Sequence, residues 1–229
     1  MNGHGTSNES ERRSVPATWK LGTPGVLLVL TGPSGEVGRW RELIGNLAAV
    51  LGLGSDFEGV PGDRGEQRWV DAVVRRAAEV PGPVLVLPHL NEPPEVENEL
   101  ERRLERVLAP FDASDEVSAS IMPVLQLLQE TGVDVAQLHV TSPESVPGMW
   151  EGIGHHARAW HTELRRRHQV GPATVEVTGG YPAAAVATRA RDADLVLMCW
   201  TRTTRAERAQ VVRAVLQVVD IPVLLIARS

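Results

Sequence analysis

Five short apolar runs rich in β-branched residues recur through the second half of this chain, and their spacing constrains the fold more than any other feature. They are VLAPFDAS (107–114), VDVAQLHV (133–140), TVEVTGGYPAAAV (174–186), ADLVLMCW (193–200) and DIPVLLIA (220–227). Each is separated from the next by a segment with helical character. Alternation of this kind signals a parallel sheet with helices on its faces. Counted from Val107, the pattern is β-α-β-α-β-α-β-α-β.

Local signals support the helices. Ser114 stands at an N-cap position, with Asp115 and Glu116 in the first turn, where the helix dipole favours acids. Gly132 sits where a helix C-terminus takes a left-handed residue. Further helices are expected over 149–168, 183–192 and 205–218.

The first half carries a shorter version of the pattern. GVLLVLTG (25–32) is a continuous apolar run ending in glycine, as in a strand buried on both faces. Residues 37–51 place Trp40, Leu43, Ile44, Leu47 and Leu51 at helical spacing. SDFEGVPGDRGE (55–66) holds a short strand and then turn residues. A second helix over 67–79 places Trp69, Ala72, Val73 and Ala77 along one side, and GPVLVLPHL (82–90) is another buried strand. The expected organisation is a disordered tail (1–24), a partial β-α-β-α-β unit (25–90), a charged linker (91–105) and a complete α/β domain (106–229). Half a sheet rarely folds alone, so the partial unit is expected to pack on the second domain or on a partner.

Composition removes several functional classes. The net charge is −6, and residues 1–104 carry 11 basic and 15 acidic side chains against 12 and 14 in residues 105–229. Neither half has the basic balance of a nucleic-acid binder. No apolar run approaches the ~20 residues of a membrane span, and the polar first 20 residues hold no secretory signal, so a cytoplasmic protein is expected. Cys199 is the single cysteine, which excludes an intrachain disulfide and a cysteine-based metal site. It follows a buried run and reads as a core thiol. His155, His156 and His161 share a predicted helix, but their spacing does not set two ligands on one face, so no metal is assigned. No nucleophile elbow, ordered Ser/His/Asp set or carboxylate pair is evident.

Over residues 105–229 the chain resembles the universal stress protein family. Asp112 and Ser114 match the Asp and Ser that end the family's first strand and help build its nucleotide pocket. His139 and Val140 match its His-Val, where a backbone segment meets adenine. Gly180, Pro182 and Ala183 resemble its Gly-x-Pro-Ala helix start, VLMCW its fourth-strand end, and IPVLLIA its last strand. The resemblance implies a doubly wound, mostly parallel five-stranded sheet with helices on both faces, of the adenine nucleotide alpha hydrolase-like type. It also implies a site at the carboxyl ends of the strands, where strand order reverses. Dimerisation through the last strand is implied as well, so 221–227 is expected at a homodimer interface or in an intrachain pseudo-dimer.

One departure is plain. Nucleotide-binding members carry Gly-x2-Gly-x9-Gly-Ser/Thr directly after the fourth strand, where glycines let backbone amides close on phosphate. Here those positions hold Cys199, Arg202, Val212 and Arg213. In CWTRTTRAER (199–208), Arg202, Thr203 and Arg205 are the candidate anion contacts, gripping by side chain. The missing spacing recurs upstream as Gly32-x2-Gly35-x9-Gly45, followed by Asn46, as if residues 25–90 were a repeat reduced to its last strands and helices. The same string is one residue too long for a Walker A motif, and Arg39-Trp40 replaces its Lys-Ser/Thr. A chelatase half-domain is a further resemblance, but Thr31-Gly32 stands where its metal-binding His belongs.

These readings point to a non-catalytic regulatory or ligand-sensing protein with a degenerate nucleotide site in its C-terminal domain. The alternatives are an ATP- or AMP-binding switch or slow ATPase using the Gly32 loop together with Asp112, and a protein-interaction scaffold. No cofactor is assigned; ATP and AMP are the candidates.

Overall fold

The computed structural model describes residues 26–32, 37–61, 67–88, 103–111, 115–141, 162, 163, 166, 174–202 and 209–227. In chain order the elements are β1 (Val26–Thr31), a 3-10 turn (Gly38–Trp40) running into α1 (Arg41–Leu51), β2 (Gly54–Gly59), α2 (Gln67–Glu79), β3 (Val84–Val86), β4 (Arg106–Phe111), α3 (Asp115–Glu130), β5 (Asp134–Thr141), β6 (Thr174–Gly179), α4 (Pro182–Ala190), β7 (Leu195–Trp200), α5 (Gln210–Val218) and β8 (Val223–Ala227). The expected helix over 149–168 falls almost wholly outside the described residues, and α5 is described from Gln210.

The five strands anticipated after residue 105 are present, but they do not form a sheet of their own. All eight strands make one sheet, in the order β2-β1-β3-β8-β7-β4-β5-β6. Every neighbouring pair is parallel except β3 and β8, which run antiparallel with Val84 opposite Leu225 and Val86 opposite Val223. The edge of β8 is therefore filled from within the chain. Within the 221–227 stretch, residues 223–225 pair with β3 of the same chain.

Strand alternation explains why both faces are covered. In β1, Leu27 and Val29 point to one face and Leu28 and Leu30 to the other, and all four are buried. On the first face, α1 and α3 close a core containing Trp40, Leu43, Leu47, Leu125 and Leu128. On the second, α2, α4 and α5 cover the sheet with Trp69, Val73, Val186, Val215 and Leu216. Both cores run across the β3–β8 junction, because Leu85 and Leu224 lie on the first face and Val84 and Leu225 on the second. Helix α1 ends at Gly52 (φ 66°), with the Leu53 amide bonded to the Ala48 carbonyl; α3 ends the same way at Gly132 (φ 88°), with Val133 bonded to Leu128. Pro123 lies within α3 without stopping it, while Ile121, Val124, Leu125 and Leu128 are buried around it.

Strand β1 lies between β2 and β3, with α1 leading to one side and α2 returning to the other. That is the arrangement of the opening strand of a doubly wound unit. Residues 25–90 therefore do not match the last strands of a repeat, as their glycine spacing suggested. Edge strand β2 shields itself in part: the Phe57 amide donates to its neighbour's carboxylate, Asp56 Oδ1, at 2.9 Å.

Candidate functional site

The sheet has two points where strand order reverses, one between β1 and β3 and one between β4 and β7. Because β3 and β8 are antiparallel, the carboxyl ends of the two sets of strands lie at opposite ends of the sheet. The β4–β7 crevice is the better defined. Its ladder pairs Val107 with Leu195 and Leu108 with Val196, while the strands continue to Phe111 and Trp200 without further pairing. The two strands thus part toward their carboxyl ends, where such sheets bind ligands.

His139 reaches this end from β5. It is 5% exposed, and its Nδ1 donates to the Phe111 carbonyl at 3.1 Å; a carbonyl can only accept, so the proton is on Nδ1. The imidazole also tilts against the Phe111 ring, with centroids 5.5 Å apart. These contacts hold together the ends of β4 and β5, which pair Phe111 with His139. Val140 is half-buried against the second core. Asp112, Ser114, Thr203 and Arg205 lie outside the described residues.

Arg202, two residues beyond β7, has φ 52° and is the one non-glycine residue with positive φ among the described residues. A left-handed backbone normally favours glycine. The glycine spacing placed a family glycine at this position, and the backbone keeps glycine's conformation while carrying an arginine. The guanidinium turns away from β4: Nη2 donates to the Pro81 carbonyl at the head of β3, while Nε is buried without an acceptor.

Arg213, at the position of the family's Ser/Thr, follows a parallel course. Its Nε donates to Asp71 Oδ1 of α2 at 2.9 Å, with the arginine side chain 14% exposed. One helical turn on, Gln217 Nε2 donates to Gln67 Oε1 at 2.8 Å. Asp71 also accepts from Gln67 at 3.0 Å. The Arg213 hydrogen bond, aided by that of Gln67, holds the Asp71 carboxyl below the usual aspartate range. Arg202 and Arg213 therefore both join the two halves of the sheet. Sequence reasoning did not find this seam, because no local pattern pairs residue 213 with residue 71.

The upstream glycine motif is dispersed. Gly32 is buried at the end of β1, its carbonyl accepting from the Thr31 hydroxyl at 3.2 Å. Gly35 lies outside the described residues. Gly45 and Asn46 are exposed inside α1, and Gly45 lines a groove of about 490 Å³ with Arg41, Ile44 and Phe57. Within an α-helix each amide bonds the carbonyl four residues back, so the Gly45 amide is engaged by the helix. A second groove of about 360 Å³ lies beside Gly180 (φ 125°) and α4, where Pro182 takes the first helical position as expected for a Gly-x-Pro-Ala start.

Compared with known families, residues 103–227 match the model of the universal stress protein family. The chain belongs to the universal stress protein family. The β4–β8 half is thus a universal stress protein domain, extended by three further strands through β3. Similar solved structures include a universal stress protein in complex with cAMP (19% identity, 55% of this chain and 98% of that chain, TM-score 0.41). One from Archaeoglobus fulgidus is also similar (16% identity, 83% and 77%, TM-score 0.48). Another is a putative universal stress protein from Pseudomonas aeruginosa (11% identity, 90% and 94%, TM-score 0.49). No curated protein matches the sequence. Among the described residues no helix is long and apolar enough to cross a membrane, and no cluster of three potential metal ligands occurs.

Proposed function

We propose that this chain is a non-catalytic, ligand-sensing universal stress protein. Its β4–β7 crevice would accept a nucleoside monophosphate such as AMP, with the phosphate loop for a triphosphate lost. The observation that carries this reading is Arg202: a side chain replaces the family's glycine on a left-handed backbone, and it is drawn off to Pro81. Arg213 is likewise committed to Asp71 and offers no hydroxyl to phosphate. What survives of the pocket is the β5 end, with His139 fixed on the Phe111 carbonyl. In this reading residues 25–90 are a companion unit joined to 106–229 through the 91–105 linker, with 1–24 as a tail.

The alternative ATP switch built on Gly32, Gly35 and Gly45 is less favoured, because Gly45 and Asn46 lie inside α1. Native mass spectrometry of freshly purified protein, followed by calorimetry with AMP, ADP and ATP, tests the proposal. Stoichiometric AMP binding without ATP binding or turnover is expected. Co-purified ATP, or ATP binding tighter than AMP, would overturn it.

A further inference from the structure

Arg202 has a property that the seam alone does not account for. Its side chain is half-buried and its Nε is shielded from solvent, yet the acceptor it holds is a neutral carbonyl. A half-buried cation with one shielded N–H unpaired, and with no carboxylate partner among the described residues, is incompletely compensated. Its backbone is strained besides, since a non-glycine residue holds a left-handed φ of 52°. Strain and incomplete pairing at one residue, just beyond the strand that borders the crevice, describe a group with a better partner in a second state.

The other end of the contact is firmly seated. Pro81 leads directly into Gly82 and Pro83, and a Cβ built on Gly82 would lie 3.2 Å from the Val26 carbonyl. The Pro83 carbonyl accepts from the Leu28 amide at 3.3 Å. A force at Pro81 is thus passed to β1 as well as to β3. Strand β3 is three residues long and carries the whole strand junction between the halves. A ladder this short is sensitive to what holds its end.

We propose that Arg202 is a two-position latch that reports occupancy of the β4–β7 crevice to residues 26–88. With the crevice empty, the guanidinium rests on the Pro81 carbonyl. When a phosphomonoester enters, the guanidinium leaves Pro81 for the phosphate oxygens and the head of β3 loosens. The direction follows from the two partners: a carbonyl offers one neutral acceptor, whereas a phosphate offers a bidentate, charge-assisted contact. A ligand shifts a two-state element only by its differential affinity for the states, and this exchange of partners supplies that difference. The latch rests on the ligand reading above.

Hydrogen exchange of the full chain, followed by mass spectrometry with and without saturating AMP, tests it; calorimetry on the same samples reports binding separately. AMP is expected to raise deuterium uptake at the amides of Gly82 and Val84–Val86 (Pro81 and Pro83 carry none) about threefold or more, the size of change that loss of one hydrogen bond gives to a locally opening ladder. In Arg202→Gly, which suits the left-handed backbone and so retains the fold, uptake there is high from the start and AMP does not change it. Arg202→Lys keeps the charge without the fork and should retain a smaller response. If AMP binds and uptake over 81–86 is unchanged, or changes equally in Arg202→Gly, the latch is refuted and the ligand reading stands. If AMP does not bind the native chain, both fail.

Discussion

The seam between the halves makes a quantitative prediction at Asp71 and Arg213. An exposed ion pair contributes ~0.2–1 kcal/mol, whereas a hydrogen bond to a charged group contributes ~1.5–3 kcal/mol when shielded from water. Arg213 is 14% exposed and Asp71 is 40% exposed, so the pair lies between these limits. Its coupling energy should be about 1 kcal/mol after solvent screening of the carboxylate. Asp71→Ala should cost more than that, about 2 kcal/mol, because it removes both hydrogen bonds that the carboxylate accepts, from Arg213 and from Gln67. In a chain of this size the loss corresponds to a fall in Tm of roughly 4–8 °C.

The assay is a double-mutant cycle of native, Asp71→Ala, Arg213→Ala and the double variant, using urea denaturation followed by far-UV circular dichroism. The pH dependence supplies an internal check. The Asp71 carboxyl is held below its ordinary range, chiefly by its hydrogen bond from Arg213. The native state therefore favours the ionised form. The coupling is complete above the ordinary aspartate value of about 3.9, so pH 7 and pH 5 should agree. It decays only as pH falls further, through the lowered native value. A coupling below ~0.3 kcal/mol at pH 7, within the error of additivity, would refute the seam's contribution. So would a coupling that halves between pH 7 and pH 5.

Two further perturbations probe the backbone and the junction. The same substitution should have opposite signs at two glycines with open space around them: Gly45→Ala, inside α1, should stabilise by about 0.5–1 kcal/mol, and Gly132→Ala, at φ 88°, should destabilise by about 1–2 kcal/mol. Thermal unfolding of both variants checks the signs, and a Gly45→Ala protein that loses nucleotide binding would revive the Gly32-loop reading. Leu85→Ala, which removes a side chain with 0% exposure opposite Leu224 across the β3–β8 junction, should cost about 2–5 kcal/mol in urea unfolding. Unfolding of residues 26–88 alone, with the rest unaffected, would show that the two halves do not share a core.

Much of this architecture is legible in the sequence. The run from Val107 and the four that follow it become β4 to β8, because continuous apolar strands and helical stripes of 3–4 spacing have few other ways to bury their surface. Helix α2 spans 67–79 as its periodicity requires, and Gly132 ends α3 as a left-handed cap. The candidate site was only partly legible. His139 and Val140 could be placed at the end of a strand, but the Phe111 carbonyl that fixes the imidazole depends on strand pairing. The glycine spacing at 32–45 misled, since a spacing does not reveal that its third glycine lies a turn inside a helix whose apolar face runs from Leu43 to Leu51.

By itself the sequence determined the element types, the parallel α/β class and the loss of the glycine loop after the fourth strand of the C-terminal domain. Those properties depend on periodicity and residue identity, which are local. Only the tertiary structure decided that both halves share one sheet, that β3 fills the edge of β8, and that Arg202 and Arg213 reach Pro81 and Asp71. Such contacts join residues more than a hundred positions apart. Edge pairing through backbone groups that every residue carries leaves no local pattern to read.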